Sequence, residues 1–78
     1  MKMTKARALE IQAQQVDHYG KFYGRERVAA LVAAATTADA LPDGEHDVVL
    51  INEHIPRGAA IEWLIPEIRE REAAHQAR

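Results

Sequence analysis

A run of four consecutive large apolar residues, Val48 to Ile51, constrains the fold of this chain more than any other feature of its sequence. Polar residues flank the run, and the composition predicts a β-strand over residues 45–53. Because strand side chains alternate between two faces, Val48 and Leu50 would lie on one face and Val49 and Ile51 on the other. Both faces would then need cover, as in an interior strand of a sheet.

The predicted strand has no obvious partner, because no other segment combines strand length with β-branched residues. The chain has only 78 residues and no cysteine. A domain of this size usually gains stability from disulfides, a structural metal or oligomerisation, and the composition excludes disulfides and thiolate zinc sites. We therefore expect two copies to pair strand to strand. Two alternatives remain open: pairing in cis with residues 21–23, or packing of the run as extended chain beneath helices.

Two helices are predicted before the strand. The first begins with Thr4 as a plausible N-cap and extends to about His18, because the residues between them are strong helix formers. Gly20 and Gly24 predict a break or bend, since each costs about 1 kcal/mol in a helix interior. A second helix is predicted from Arg25 to about Thr36 by its apolar spacing, and a Pro-Asp-Gly turn follows it.

A last helix is predicted from Arg57 to about Ala74. Pro66 either kinks it or restarts it as the first residue of a new helix, and Glu67 and Arg71 are spaced to form an ion pair. The predicted class is α+β and helix-dominated, in the order α-α-β-α, as one domain over residues 1–78 with residues 1–3 and 75–78 frayed. The apolar stripe of the last helix consists of Ile61, Leu64, Ile65 and Ile68.

Trp63 is the only tryptophan of the chain. At about 100° per residue it lies about 200° around the helix from Ile61, on the side opposite the apolar stripe. Tryptophan is enriched at the centres of protein interfaces, which favours a partner contact. The alternative is a locally buried side chain or a helix shifted by Pro66.

Charge is distributed unevenly along the chain, whose net charge is −2. Residues 1–27 contain six basic and three acidic residues, and residues 28–78 contain four and nine. A basic segment interleaved with aromatic residues around Tyr19 to Arg27 suits phosphate contact and base stacking. No nucleic-acid-binding motif is recognisable in the sequence, however. The candidate contacts are Lys5, Arg7, Lys21, Arg25 and Arg27.

Metal binding and catalysis have weaker support in the sequence. His46 and His54 would lie about 27 Å apart on a straight strand, and Glu53 would face the other way from His54. The chain contains no serine and no glycine-rich phosphate loop. Gly58, which follows Arg57 near the predicted start of the last helix, can expose backbone N–H groups to an anion. The favoured interpretation of this segment is a plain loop that leads into the helix. We predict no cofactor, no metal site and no enzymatic activity.

The sequence thus predicts a non-catalytic interaction module that assembles with a copy of itself and acts as an adaptor, accessory subunit or regulator. The alternative hypothesis is a small dimeric nucleic-acid-binding regulator of the antitoxin or phage-repressor kind. No apolar run approaches the roughly 18 residues that span a bilayer, so we expect a cytoplasmic protein without membrane contact. The predicted interface consists of Val48, Val49, Leu50, Ile51 and Trp63.

Overall fold

A computed structural model describes residues 1–77. It confirms the helix-dominated α+β class, with one small antiparallel sheet of two strands. A 3-10 turn at Ala38–Ala40 separates the first two helices from the second strand. The elements in chain order are β1 (Lys2–Thr4), α1 (Lys5–Tyr23), α2 (Arg25–Ala35), β2 (Glu45–Asp47), α3 (Val48–His54), α4 (Ala59–Glu62) and α5 (Pro66–Gln76).

The strand predicted over residues 45–53 is the main error of the sequence-based fold. Only Glu45–Asp47 is a strand, and the apolar run that follows is the helix α3. Asp47 is the N-cap of this helix, and its carboxylate accepts a hydrogen bond of 2.9 Å from the backbone N–H of Val49. Ile51 and Ile55, four residues apart, are both fully buried. Tertiary burial of this face outweighs the β-propensity of the run.

The partner of β2 comes from the same chain. β1 pairs with it in antiparallel register, with Met3 opposite His46. Residues 1–3, which were predicted to be frayed, therefore hold the sheet together. Residues 21–23, the partner in cis that the sequence left open as an alternative, lie instead in the last turn of α1. Of the C-terminal residues predicted to fray, His75 and Gln76 lie in α5, Ala77 is its C-cap, and Arg78 lies outside the described residues.

The first helix is longer than predicted because it continues through Gly20. It ends at Gly24, whose φ of +92° lies in the left-handed region that favours glycine. Gly20 is buried where the start of α2 crosses α1. The two backbones approach so closely there that a side chain at this position would collide with Arg25. Glycine therefore fits inside the helix at this point despite its low helix propensity. The bounds of α2, Arg25–Ala35, agree with the prediction.

The predicted last helix is divided in two. α4 begins at Ala59, and α5 restarts with Pro66 in its first turn, as one of the two predicted outcomes required. Glu67 pairs with Arg27 of α2, and not with Arg71 as predicted. All residues of α5 from Arg69 to Ala77 are exposed.

The core consists of two clusters arranged along α1. One contains Ala8 of α1 with Leu41, Ile51 and Ile55. The other contains Val28 and Val32 of α2 with Ile61 and Ile65, against which Val16 and Tyr19 of α1 pack. The predicted apolar stripe of the last helix therefore belongs to the core. The molecule measures 42 × 27 × 17 Å along its principal axes.

Candidate functional sites

Trp63 lies on the surface, as the helical geometry predicted. It is the C-cap of α4 and is 54% exposed, whereas Ile61 and Ile65 on either side of it are fully buried. Together with Glu62, Ile68 and Glu72 it lines a depression of about 210 Å³. Two glutamates thus line the same depression as the indole, a setting that would favour a partner with apolar and cationic groups.

The four predicted interface residues of the apolar run divide into two pairs. Val49 and Leu50 of α3 are exposed, by 67% and 39% respectively. Ile51 is fully buried and Val48 is partly buried. Ile51 is thus a core residue, and the predicted alternation of strand faces was wrong because the segment is helical. An interface at α3 would use Val49 and Leu50.

Phe22 is a further exposed aromatic residue that the sequence analysis did not assign to a surface. It is 69% exposed near the end of α1, and its ring meets that of His18 edge to face at 5.5 Å. The i, i+4 spacing of these two residues could have indicated the contact.

The basic residues predicted to contact nucleic acid are mostly paired within the chain. Arg7 pairs with Glu10, Arg25 with Asp17 at 3.0 Å, and Arg27 with Glu67 at 2.6 Å. The ammonium group of Lys5 donates to the carbonyl of Leu41 at 2.8 Å and lies 3.7 Å from a carboxylate oxygen of Asp43. Lys21 is exposed at the far end of α1, sixteen residues or about 24 Å from Lys5. This arrangement is not a continuous cationic surface.

The histidines are engaged at separate places. Nε2 of His46 donates to the carbonyl of Pro42 at 2.7 Å, and Nδ1 of His54 lies 2.7 Å from the hydroxyl of Thr37. Glu53 is exposed on α3. Within residues 1–77, no three His, Asp or Glu side chains are grouped so that they could hold a metal ion.

A polar belt, formed by Gln12 and Gln15 of α1, separates the two core clusters. Nε2 of Gln12 donates to the hydroxyl of Thr36 at 3.0 Å and to the carbonyl of Pro56 at 2.9 Å. Oε1 of Gln15 accepts from the backbone N–H of Gly58 at 2.6 Å. The two glutamines thus fasten the segment between α3 and α4 to α1. The sequence analysis missed them, although their i, i+3 spacing places both on one helix face.

Next to this belt is a pocket of about 380 Å³. Arg57 lines it and is partly buried, and its Nε atom is buried without a hydrogen-bond partner in the described part of the chain. The other lining residues are Gln15, Asn52, Gly58, Ala59 and Ala60.

A larger but shallow groove of about 550 Å³ runs between α1 and α2. Ala13, Ala29 and Ala33 line part of it, and the Asp17–Arg25 ion pair lies on its wall.

The phenol of Tyr19 is the most strongly perturbed titratable group of the described chain. It donates a hydrogen bond of 2.5 Å to Oε1 of Glu62, which joins α1 to α4. This hydrogen bond to the carboxylate, followed by burial and by the negative charge of Glu62, raises the pKa of Tyr19 to about 12. Because the shift has a structural cause at a helix contact, it does not indicate a catalytic acid.

No known protein family, curated protein or solved structure matches this chain. No helix among residues 1–77 is long and apolar enough to cross a membrane. The fold defines the class of a small, helix-dominated α+β protein. Its candidate functional features are the exposed side chains of Trp63, Val49 and Leu50 and the pocket beside Arg57.

Proposed function

We propose that this protein is a non-catalytic interaction module that assembles with a second copy of itself, and that Trp63 lies at the centre of the contact. The observation that carries the proposal is the exposure of the only tryptophan between two fully buried isoleucines. A large side chain held outward by its own core neighbours has little freedom to fold inward. Burial of such a side chain against a partner is worth roughly 1.5–3 kcal/mol.

The shape of the molecule supports an additional partner surface. Its radius of gyration is 13.5 Å, whereas a compact domain of this length has about 11.5 Å. Its accessible surface is 5301 Å², against about 4,700 Å² for a typical monomer of this mass. The excess surface is consistent with a chain that buries a further face on assembly.

The exposed residues Val49 and Leu50 of α3 form the second part of the proposed contact. They replace strand pairing as the basis for self-assembly, because β2 already has a partner in β1. In this proposal, Val48 and Ile51 stabilise the protomer and Val49 and Leu50 contact the partner.

Sedimentation equilibrium at micromolar concentration tests the proposal. We expect the wild-type protein to have at least twice the mass of one chain, and the Trp63→Ser variant to dissociate at the same concentration. A Val49→Ser variant should weaken assembly by a smaller amount, because valine buries less area than tryptophan.

The matched control is Phe22→Ser, which removes another exposed aromatic side chain and should leave assembly unchanged. Circular dichroism should show that all variants keep the helical content of the wild type. A well-folded monomeric wild-type protein would refute the proposal. Dissociation by Phe22→Ser together with an unaffected Trp63→Ser variant would refute the assignment of the contact to Trp63.

A further inference from the structure

Arg57 differs from the other arginines of the described chain. Arg7, Arg25 and Arg27 each pair with a carboxylate. Arg69 and Arg71 project from the exposed surface of α5. Arg57 is partly buried, and it forms no ion pair with any of residues 1–77. A partly buried cation without a counter-charge favours an anion that can reach it.

Three of the residues that line the pocket, Arg57, Gln15 and Asn52, have side chains that can donate hydrogen bonds. Gln15 uses its carbonyl oxygen to accept from Gly58, so its NH2 group is the part of the carboxamide that can donate to a ligand. Asn52, exposed on α3, places a second carboxamide at the pocket, and the remaining walls are the small residues Gly58 to Ala60. Among residues 1–77, no acidic side chain lines the pocket.

We propose that this pocket binds a small molecule through a phosphate or carboxylate group, with the guanidinium of Arg57 as its principal contact and the carboxamides of Gln15 and Asn52 as further donors. A guanidinium binds either group through two parallel hydrogen bonds, which a single ammonium group cannot do. The volume of about 380 Å³ lies at the lower end of the range of small-molecule sites. The buried Nε of Arg57 has no hydrogen-bond partner within residues 1–77, and an acceptor that draws the guanidinium into the pocket would supply one.

The site is independent of the proposed assembly. Its residues come from α1, α3, the segment before α4 and the first two residues of α4, and they do not include Trp63, Val49 or Leu50. Failure of either proposal therefore leaves the other unaffected.

The test is a titration of the full chain with inorganic phosphate and, separately, with acetate, at constant ionic strength. Binding is followed by nuclear magnetic resonance through the amide signals of Gly58 and Ala59 and the Nε–H signal of Arg57. We expect saturable shifts of these signals, and affinity that falls roughly tenfold or more in Arg57→Gln, because charged hydrogen bonds are lost. Saturation by phosphate alone would assign the site to phosphate groups, and saturation by both anions would assign it to both classes.

Two charge-matched controls distinguish a site from general attraction. Arg69→Gln removes the same charge from exposed α5 and should leave affinity unchanged. Asn52→Asp should weaken binding by adding a carboxylate to the pocket wall, and Gln14→Glu, which makes the same charge change at an exposed position of α1, should not. Asn52→Asp keeps the test valid if Arg57→Gln fails to fold. Linear, unsaturable shifts, or equal losses in the variants and their controls, would overturn the proposal.

Discussion

A Cβ atom built on Gly20 would lie only 2.8 Å from the Cα of Arg25. The backbones of α1 and α2 meet at this point, immediately before and after the turn at Gly24. The contact explains why a glycine persists inside a helix of 19 residues, where alanine would favour the helical conformation by about 1 kcal/mol.

Replacing Gly20 by alanine is expected to destabilise the protein despite the better helix propensity of alanine. The added methyl group meets backbone atoms that cannot move away without shifting α2, and overpacking of this kind costs typically 1–3 kcal/mol. Urea denaturation followed by circular dichroism measures the change in the free energy of unfolding. Lys21→Ala, at the adjacent exposed position, should change it by less than about 0.5 kcal/mol. A Gly20→Ala variant more stable than the wild type would contradict the close approach.

Gln12 and Gln14 offer a matched pair of substitutions on α1. Gln12→Ala leaves the carbonyl of Pro56 without its donor, and we expect a loss of about 1–3 kcal/mol in the free energy of unfolding. Gln14 is exposed, and Gln14→Ala should be neutral or slightly stabilising. The same denaturation experiment compares them. Equal effects of the two substitutions would show that the polar belt does not join α1 to the segment before α4.

The titration of Tyr19 is expected to report the contact between α1 and α4. The hydrogen bond to Glu62 raises its pKa to about 12, above the value of about 10 for an unfolded tyrosine. The stabilisation is therefore fully present below pH 10 and is lost as the pH rises through about 12. In a Tyr23→Phe background, where Tyr19 is the only tyrosine, the absorbance of tyrosinate should titrate near pH 12, and Glu62→Gln should lower this midpoint. An unchanged midpoint in Glu62→Gln would contradict the assigned cause.

Binding to generic duplex DNA should be weak and nearly independent of salt. Four of the five candidate basic residues already have carboxylates within 4 Å, so few are free to replace phosphate counterions. Fluorescence anisotropy with a labelled duplex over a range of salt concentrations measures this property. A protein that neutralises several phosphates would lose affinity steeply, with a slope of about −0.9 per phosphate in a double-logarithmic plot. Such a slope, reduced in Lys21→Ala, would instead support the nucleic-acid-binding alternative.

The sequence by itself determined the features that depend on neighbouring residues. The bounds of α2, the interruption of the last helix at Pro66 and the burial of Ile61 and Ile65 follow from spacing, proline geometry and turn residues. The exposure of Trp63 follows from helical rotation relative to Ile61. These properties are local, since they require only the 3.6-residue period and the backbone preferences of single residues.

Tertiary structure decided what depended on distant segments. The run from Val48 to Ile51 became a helix because Asp47 caps it and because Ile51 and Ile55 bury one face beside Ala8, a residue more than 40 positions away. The spacing of Val48, Ile51 and Ile55 fits a helix, but the β-branched composition of this short run favours a strand. The choice between the two depends on the residues against which the run packs, and the sequence does not show those residues. The strand β1 likewise pairs with β2 only after the chain folds back on itself. Gln15 of α1 also reaches the pocket of Asn52 and Arg57 only in the folded chain. Their contacts span the sequence, so no local pattern contains them.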